Sequence, residues 1–322
     1  MTLSLSGLTI TVRADGTDRV LVADLSLEVE ESRTIAVVGE SGSGKSITAL
    51  SVLGLLTSWY AASAFSVSGL LRIDGEPEYR LDLATARDVD FDAIRGRAVS
   101  MIFQDPWTAL NPIRTVGRQL VESVRAHSTV TATEARTRAI DLLERVGIQQ
   151  PAERYDSYPH QLSGGQLQRI MIAMALAGRP RFLIADEPTT ALDVTVQRGI
   201  LQLLDELRAD GLGILLITHD LSVVAHHSDR IAVMYGGAIV ESGRSRAVIA
   251  DPRHPYTRLL ISSVPTLDVE PGSRLVTKAD VLAGRSIDPR LGRFDPEQRT
   301  DVELVRIADD HVVSRRFVGG LR

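Results

Sequence analysis

The chain has 322 residues, 44% hydrophobic and 24% charged, with a net charge of -5, so it holds ample material for a core and no general attraction to nucleic acid or anionic lipid. It contains no cysteine, which excludes disulfides, thiolate metal sites, cysteine-ligated iron-sulfur clusters and thiol catalysis. No stretch approaches the ~18–20 apolar residues that cross a bilayer, and Met1–Ile10 lacks the basic start and apolar core of a secretory signal, so any membrane role is expected through partners.

In chain order, residues 8–32 alternate apolar and polar, as in Leu25, Leu27 and Val29 separated by Ser26 and Glu28, which predicts strands covered on one face. Thr34–Val38 is continuously apolar after its first residue and predicts a strand buried on both faces, followed by a helix from Ile47 to Leu56. A further strand with a turn at Asp74-Gly75 is expected near 69–76. Two amphipathic helices are expected between 115 and 147, the second opened by a Thr131…Glu134 capping box, presenting Ala139, Leu142, Leu143 and Val146, and closed by Gly147. Beyond residue 160 the pattern predicts a helix near 165–177, a strand at 181–186, a helix at 194–209, a strand at 213–218, a helix at 221–227 and a hairpin around Gly236-Gly237. Helices alternating with apolar strands predict a doubly wound, largely parallel α/β sheet. Past Pro265 the chain becomes rich in Arg, Asp and Gly, with one alternating segment from Val302 to Phe317, and is read as a small C-terminal appendage.

Between the first buried strand and its helix lies Gly39-Glu40-Ser41-Gly42-Ser43-Gly44-Lys45-Ser46, which fits the phosphate-loop pattern in its required context. Glycines let successive backbone N–H groups turn inward on phosphate oxygens, and the helix N-terminus adds partial positive charge. The loop, taken through Ile47, is the expected nucleotide-binding segment, with Lys45 on the outer phosphates and the Ser46 hydroxyl on Mg²⁺. Lys45 and Lys278 are the only lysines of the chain. A compact ammonium enters such a cradle where a guanidinium fork does not fit in the same way.

The later motifs carry a resemblance. Leu162-Ser163-Gly164-Gly165-Gln166 before a helix resembles the signature of ABC ATPases, and Leu183-Ile184-Ala185-Asp186-Glu187 resembles their Walker B strand. Thr189-Thr190-Ala191-Leu192-Asp193 resembles the D-loop, His219 the switch histidine, and Gln104 in Phe103-Gln104-Asp105-Pro106 the Q-loop. The resemblance implies a P-loop NTPase core of the ABC type, with an antiparallel β subdomain, a helical subdomain at about 105–160 that receives the permease, and a nucleotide-binding domain over 1–265 before a 266–322 extension. It implies ATP and Mg²⁺ as cofactors. Asp186, Ser46 and Gln104 serve the metal, and Glu187 polarises the attacking water with help from His219. It also implies a head-to-tail dimer, in which ATP lies between the phosphate loop of one subunit and Ser163, Gly164, Gly165 and Gln166 of the other. The aromatic residue that commonly stacks on adenine is missing before Trp59, leaving Arg13 or Val20 as candidates.

Three segments narrow the resemblance to the peptide/nickel importer subfamily: Tyr158-Pro159-His160-Gln161, Asp105-Pro106…Leu110-Asn111-Pro112, and His254-Pro255-Tyr256-Thr257-Arg258-Leu259-Leu260. They imply an ATPase subunit at the cytoplasmic face of the membrane, driving di- or oligopeptide uptake. Its expected partners are a second, different ATPase subunit, two permease subunits and a solute-binding protein, with no nucleic acid. Nickel, a metallophore or another small solute is the alternative cargo, and a non-transport ABC ATPase the alternative class. Trp107 is a candidate permease contact or a core residue. The cysteine cluster that many members carry in the tail is absent, so no iron-sulfur centre is expected; the segment Asp310-His311-Val312-Val313-Ser314 stands near its place.

Overall fold

The computed structural model of the chain describes residues 1–14, 16–59, 64–190, 192–262, 304–308 and 310–314. Most of the expected 266–322 extension lies outside the described residues, as do 263–265.

The alternating start of the chain forms two long antiparallel strands, β1 (Thr2–Ala14) and β2 (Thr17–Glu30). Period two places Leu3 and Leu5 of β1, and Leu25, Leu27 and Val29 of β2, on one buried face. The spacing then changes at Leu8, and a register shift between Leu5 and Leu8 keeps Leu8 and Ile10 buried as well. β3 (Thr34–Val38) is buried throughout and leads through the glycine loop into α1 (Lys45–Val52). The predicted Ile47–Leu56 helix stops early because Gly54, at φ 64, turns the chain against the Phe91 ring before α2 (Leu55–Trp59). Two more strands, β4 (Phe65–Ile73) and β5 (Tyr79–Asp82), complete a four-stranded sheet in the order β2-β1-β4-β5.

After α3 (Asp88–Asp92) and β6 (Val99–Ile102) the chain leaves the sheets for a run of helices. These are α4 (Pro106–Ala109), α5 (Val116–His127), α6 (Ala132–Arg145) and α7 (Pro151–Arg154), then a 3-10 turn, Pro159–Gln161, and α8 (Gly164–Leu176). The Thr131–Glu134 capping box opens α6 as expected, with the Glu134 carboxylate accepting from Thr131 N at 2.9 Å. Strands and helices then alternate through β7 (Phe182–Asp186), α9 (Val194–Ala209), β8 (Gly213–Thr218), α10 (Leu221–His227) and β9 (Arg230–Tyr235). β10 (Ala238–Arg244), α11 (Ser245–Ala250) and α12 (Pro255–Ser262) follow, and β11 (Leu304–Ala308) and β12 (His311–Ser314) form a terminal hairpin.

The second sheet has the order β11-β12-β10-β9-β3-β8-β7-β6. Its β9-β3-β8-β7-β6 part is parallel, and β10, β12 and β11 add antiparallel strands at one edge. Alternation divides each central strand between two cores. Phe182 and Ile184 of β7, and Leu215 and Ile217 of β8, face the antiparallel sheet and α1. Leu183, Ala185, Ile214 and Leu216 face α8, α9 and the helical region. On β3, Ala36 and Val38 join a third core with Tyr235, Val248 and Tyr256. The expected C-terminal appendage is thus tied to the sheet, since β12 pairs with β10 through Glu241↔Val313 and Ser242↔Val312.

Candidate functional site

Parallel strands end at one edge of their sheet, and the candidate residues sit at those ends. The loop 39–46 follows β3, Gln104 follows β6, Asp186 ends β7 with Glu187 next, and His219 follows β8. Residues spread from 39 to 219 in sequence thereby converge.

The glycine loop is shaped by close approach. A Cβ at Gly39 would overlap the Met234 carbonyl oxygen of β9, and one at Gly44 would lie 2.7 Å from Met234 Cε, where φ is also 106. Lys45 is buried, and its Nζ donates to Gly39 O at 2.8 Å and Glu40 O at 2.9 Å. An ammonium has three donors, and the third reaches Ser43 Oγ at 3.5 Å, a long bond that a phosphate oxygen can replace. Burial lowers the Lys45 pKa, opposed by the charges of Glu187, Asp186 and Glu40. Ser46 Oγ donates to Asp186 Oδ1 at 3.1 Å.

Glu187 is held by three side chains of the site. Its Oε2 accepts from Gln104 Nε2 at 3.2 Å and Thr190 Oγ1 at 2.9 Å, and lies 3.3 Å from His219 Nδ1. Its backbone adopts φ 47, unusual for a side-chain-bearing residue, and is pinned by a 2.9 Å bond from its N–H to Ile217 O. Thr190 was not among the sequence-predicted site residues, although its place three residues after Glu187 within the Thr189–Asp193 motif was the available signal.

The structure therefore brings together Gly39 through Ile47, Gln104, Asp186, Glu187 and His219. The segment Ser163–Gln166 is not joined to them: among the described residues, no hydrogen bond links it to the glycine loop. Ser163 is exposed at the N-cap of α8, where its Oγ accepts from Gln166 N and Gln166 Oε1 accepts from Ser163 N at 2.9 Å. Gly165 packs so closely on Val196 of α9 that a side chain there would overlap it. Of the two adenine candidates, Arg13 is engaged with Asp18, its Nε donating to Oδ1 at 2.9 Å. Val20 is 51% exposed on β2, one residue before the Leu21 carbonyl that borders Gly44. Trp107 is 53% exposed and lies outside the core.

A nucleotide triphosphate with a divalent cation fits these residues. Gly39 and Gly44 leave no room for Cβ atoms, and the third ammonium N–H makes only a long, replaceable bond to Ser43 Oγ at 3.5 Å. The donor set beside them is the Ser46 hydroxyl, the Asp186 carboxylate and the Gln104 amide, all hard oxygens suited to Mg²⁺. Burial raises the Asp186 pKa, against the lowering effect of the Ser46 hydroxyl, so a cation there would meet a poorly solvated anion.

A second contact reaches the loop from the far end of the chain. Glu40 N donates to the phenolic oxygen of Tyr256, on α12, at 2.8 Å. Sequence reasoning marked Tyr256 only as part of the His254–Leu260 segment, and nothing local to that segment points to residue 40.

Residues 22–190 match the family described as ABC transporter, and residues 240–285 match the family described as oligopeptide/dipeptide transporter, C-terminal region. A Brucella melitensis protein named as a peptide import ATP-binding protein is 47% identical over 295 residues, covering 91% of this chain and 86% of that one. The peptidoglycan transport ATP-binding protein YejF of Agrobacterium fabrum is 46% identical over 286 residues, covering 88% of this chain. The aligned stretch is 50% of that relative, so the chain spans about half its length. Among solved structures, the ATP-binding cassette MJ0796, a dimer in a post-hydrolysis state bound to ADP and Pi, superposes with a TM-score of 0.63 at 27% identity, over 76% of this chain and 99% of that one.

Proposed function

The chain belongs to the ABC transporter family of ATP-binding proteins, and from that premise we propose that it is the ATP-hydrolysing subunit of an importer for di- and oligopeptides. The observation that carries the chemistry is the Glu187 carboxylate, held by Gln104, Thr190 and His219 beside the Lys45 loop. The cargo rests on the match at 240–285 and on the relative named for peptide import. The Agrobacterium relative's name adds peptidoglycan transport as a second cargo to test.

In this reading the backbone N–H groups of the loop and the Lys45 ammonium bind the phosphates of ATP. Ser46, Asp186 and Gln104 would hold Mg²⁺, which when bound offsets phosphate charge and orients the terminal phosphoryl group. Glu187 accepts a hydrogen bond from the attacking water and draws its proton as the new bond from water to the γ-phosphorus forms and the bond to the β,γ-bridging oxygen breaks, releasing ADP and phosphate. His219 and Thr190 fix the carboxylate that does so. Most of the rate gain then comes from positioning and electrostatics. Ser163–Gln166, exposed and apart from the loop, completes the site of a second subunit in a head-to-tail dimer, which we take to be a different ATPase chain. Trp107 and Ile113, 53% and 82% exposed beside the Q-loop, are offered to the permease. Among the described residues no helix is long and apolar enough to cross a membrane, in keeping with peripheral attachment at the cytoplasmic face through two permease subunits, with a solute-binding protein outside. Residues 1–265 are proposed as the nucleotide-binding domain and 266–322 as its extension.

The test is Glu187→Gln, which keeps shape and removes the base. ATP should still bind, turnover should fall by about 10²–10⁴-fold, and uptake of labelled peptides should stop in the source cell while nickel uptake continues. Loss of nickel uptake alone would move the cargo to a metal. Retained turnover would remove Glu187 from the chemical step.

A further inference from the structure

Glu241 of β10 is fully buried, and its carboxylate joins three segments. Its Oε1 accepts from Arg253 N at 2.8 Å, its Oε2 from His254 N at 2.9 Å, and His311 Nε2, on β12 of the terminal hairpin, lies 2.7 Å from Oε1. The two amides belong to the residues that lead into α12. There His254 Nδ1 accepts from Tyr256 N at 3.1 Å, an arrangement that needs an unprotonated Nδ1. Burial holds the imidazole neutral, lowering its pKa to about 3. The Tyr256 ring, almost fully buried, packs on Tyr235 with centroids 4.4 Å apart, and its oxygen receives Glu40 N. Glu40 in turn offers its carbonyl to Lys45 Nζ at 2.9 Å. A continuous set of contacts thus runs from His311, through Glu241 and the start of α12, to the residue that positions the loop lysine. The hairpin is fastened at a second point, where the Asp310 carboxylate meets Arg230 at 3.2 Å and Arg244 at 2.9 Å.

We propose that Tyr256 is a positioning residue for nucleotide binding, holding Glu40 and through it Lys45, and that the C-terminal hairpin sets this hold through the His311–Glu241 contact. The inference rests on the reading of Gly39–Ile47 as the nucleotide loop. A loop that must present several N–H groups and one ammonium in fixed geometry loses affinity when its first residues are free to rotate, because the ordering cost then falls on binding. Such a link would let an event at the tail, such as docking of another subunit on the hairpin, change ATP affinity without touching the site.

The experiment uses the full chain with Tyr256→Phe, which removes only the phenolic oxygen, and His311→Leu, which removes the bond to Glu241 and keeps an apolar filling. ATP affinity by titration calorimetry, steady-state KM and kcat, thermal melting and hydrogen exchange of the segment containing Glu40 are measured together. Tyr256→Phe should weaken ATP binding and raise KM about fivefold, the scale of one neutral hydrogen bond, with kcat within about twofold. His311→Leu should shift both in the same direction, and the double variant should fall short of the product of the two effects. Exchange at Glu40 should quicken in both single variants. Unchanged affinity and exchange in Tyr256→Phe, even with a lowered melting temperature, would overturn the positioning role. Independent, multiplicative effects would overturn the link to the tail. Lys45→Ala separates the two levels: if it binds ATP like wild type, the nucleotide-loop reading itself fails, whereas if it loses binding and Tyr256→Phe does not, only this inference fails.

Discussion

Asp186 ends β7 in a buried position, and burial pushes its carboxyl above the usual carboxylate range while the Ser46 hydroxyl pulls the other way. A carboxyl whose folded-state pKa is raised contributes its stability fully below the unfolded value and loses it as the pH rises through the folded value. At neutral pH the ionised Asp186 therefore stands as a cost to the nucleotide-free chain, of the kind active sites carry for function. Asp186→Asn should melt higher than wild type without nucleotide, because it removes a buried charge whose ionisation burial opposes. The same variant should gain little further protection from Mg-ATP, and fluorimetric melts with and without it read both effects. A lower melting point would mean that the ionised carboxylate is already compensated, with Lys45 the nearest candidate. Residue types were largely legible at this scale, since a phosphate loop or a carboxylate pair ending an apolar strand advertises its chemistry locally. The Thr190 bond to Glu187 was not, because a threonine beside a carboxylate is common and only the turn geometry directs its hydroxyl.

At the scale of elements, periodicity and capping were sufficient for most of the chain. The strand at 182–186, the helix at 194–209 and the Ser163–Gln166 box all follow from apolar spacing and short-range side-chain bonds. Other joints depend on contacts across helices. Arg169, one turn past the signature on α8, donates to Val146 O at 2.6 Å and Gly199 O at 3.3 Å, so it closes the end of α6 and braces α9. A cation at a helix C-terminus is favoured by the unpaired carbonyls there. Arg169→Met keeps much of the volume and removes both bonds; it should cost about 2 kcal/mol, or ~5 °C in melting temperature. Because α8 carries Ser163 at its start, ATP-dependent pairing should weaken as well, read by sedimentation. An unchanged melting point would assign both bonds to surface decoration.

For the whole molecule, the separation of the two recognition segments decides the unit of function. The glycine loop lies at the end of β3, whereas Ser163 is exposed on α8, and Val194 is 73% exposed at the start of α9, the helix whose Val196 packs on Gly165. Exposed polar caps and apolar residues beside an incomplete site are what a second subunit would cover. With a different ATPase chain as the partner, ATP hydrolysis per chain of this protein alone should therefore stay low and independent of concentration, as an assay over a hundredfold dilution range would show. A rate per chain that rises with concentration and levels off, with a dimeric mass, would replace the different ATPase subunit by a second copy of this chain.

The sequence alone determined the local chemistry and most element boundaries, because turns, caps, alternation and phosphate loops are short-range physics written in adjacent residues. It also carried the family, since six motifs in order leave little freedom. The order of strands was decided by tertiary structure: β3 sits between β8 and β9, which brings residues 39, 104, 187 and 219 to one sheet edge. The tail's attachment was decided there too. Glu241 reads in sequence as one more polar residue of a hairpin, and only the folded chain encloses it and supplies Arg253, His254 and His311 as its donors. The physical reason is the same in both cases. A buried polar group must find partners, and which partners reach it depends on how distant segments pack.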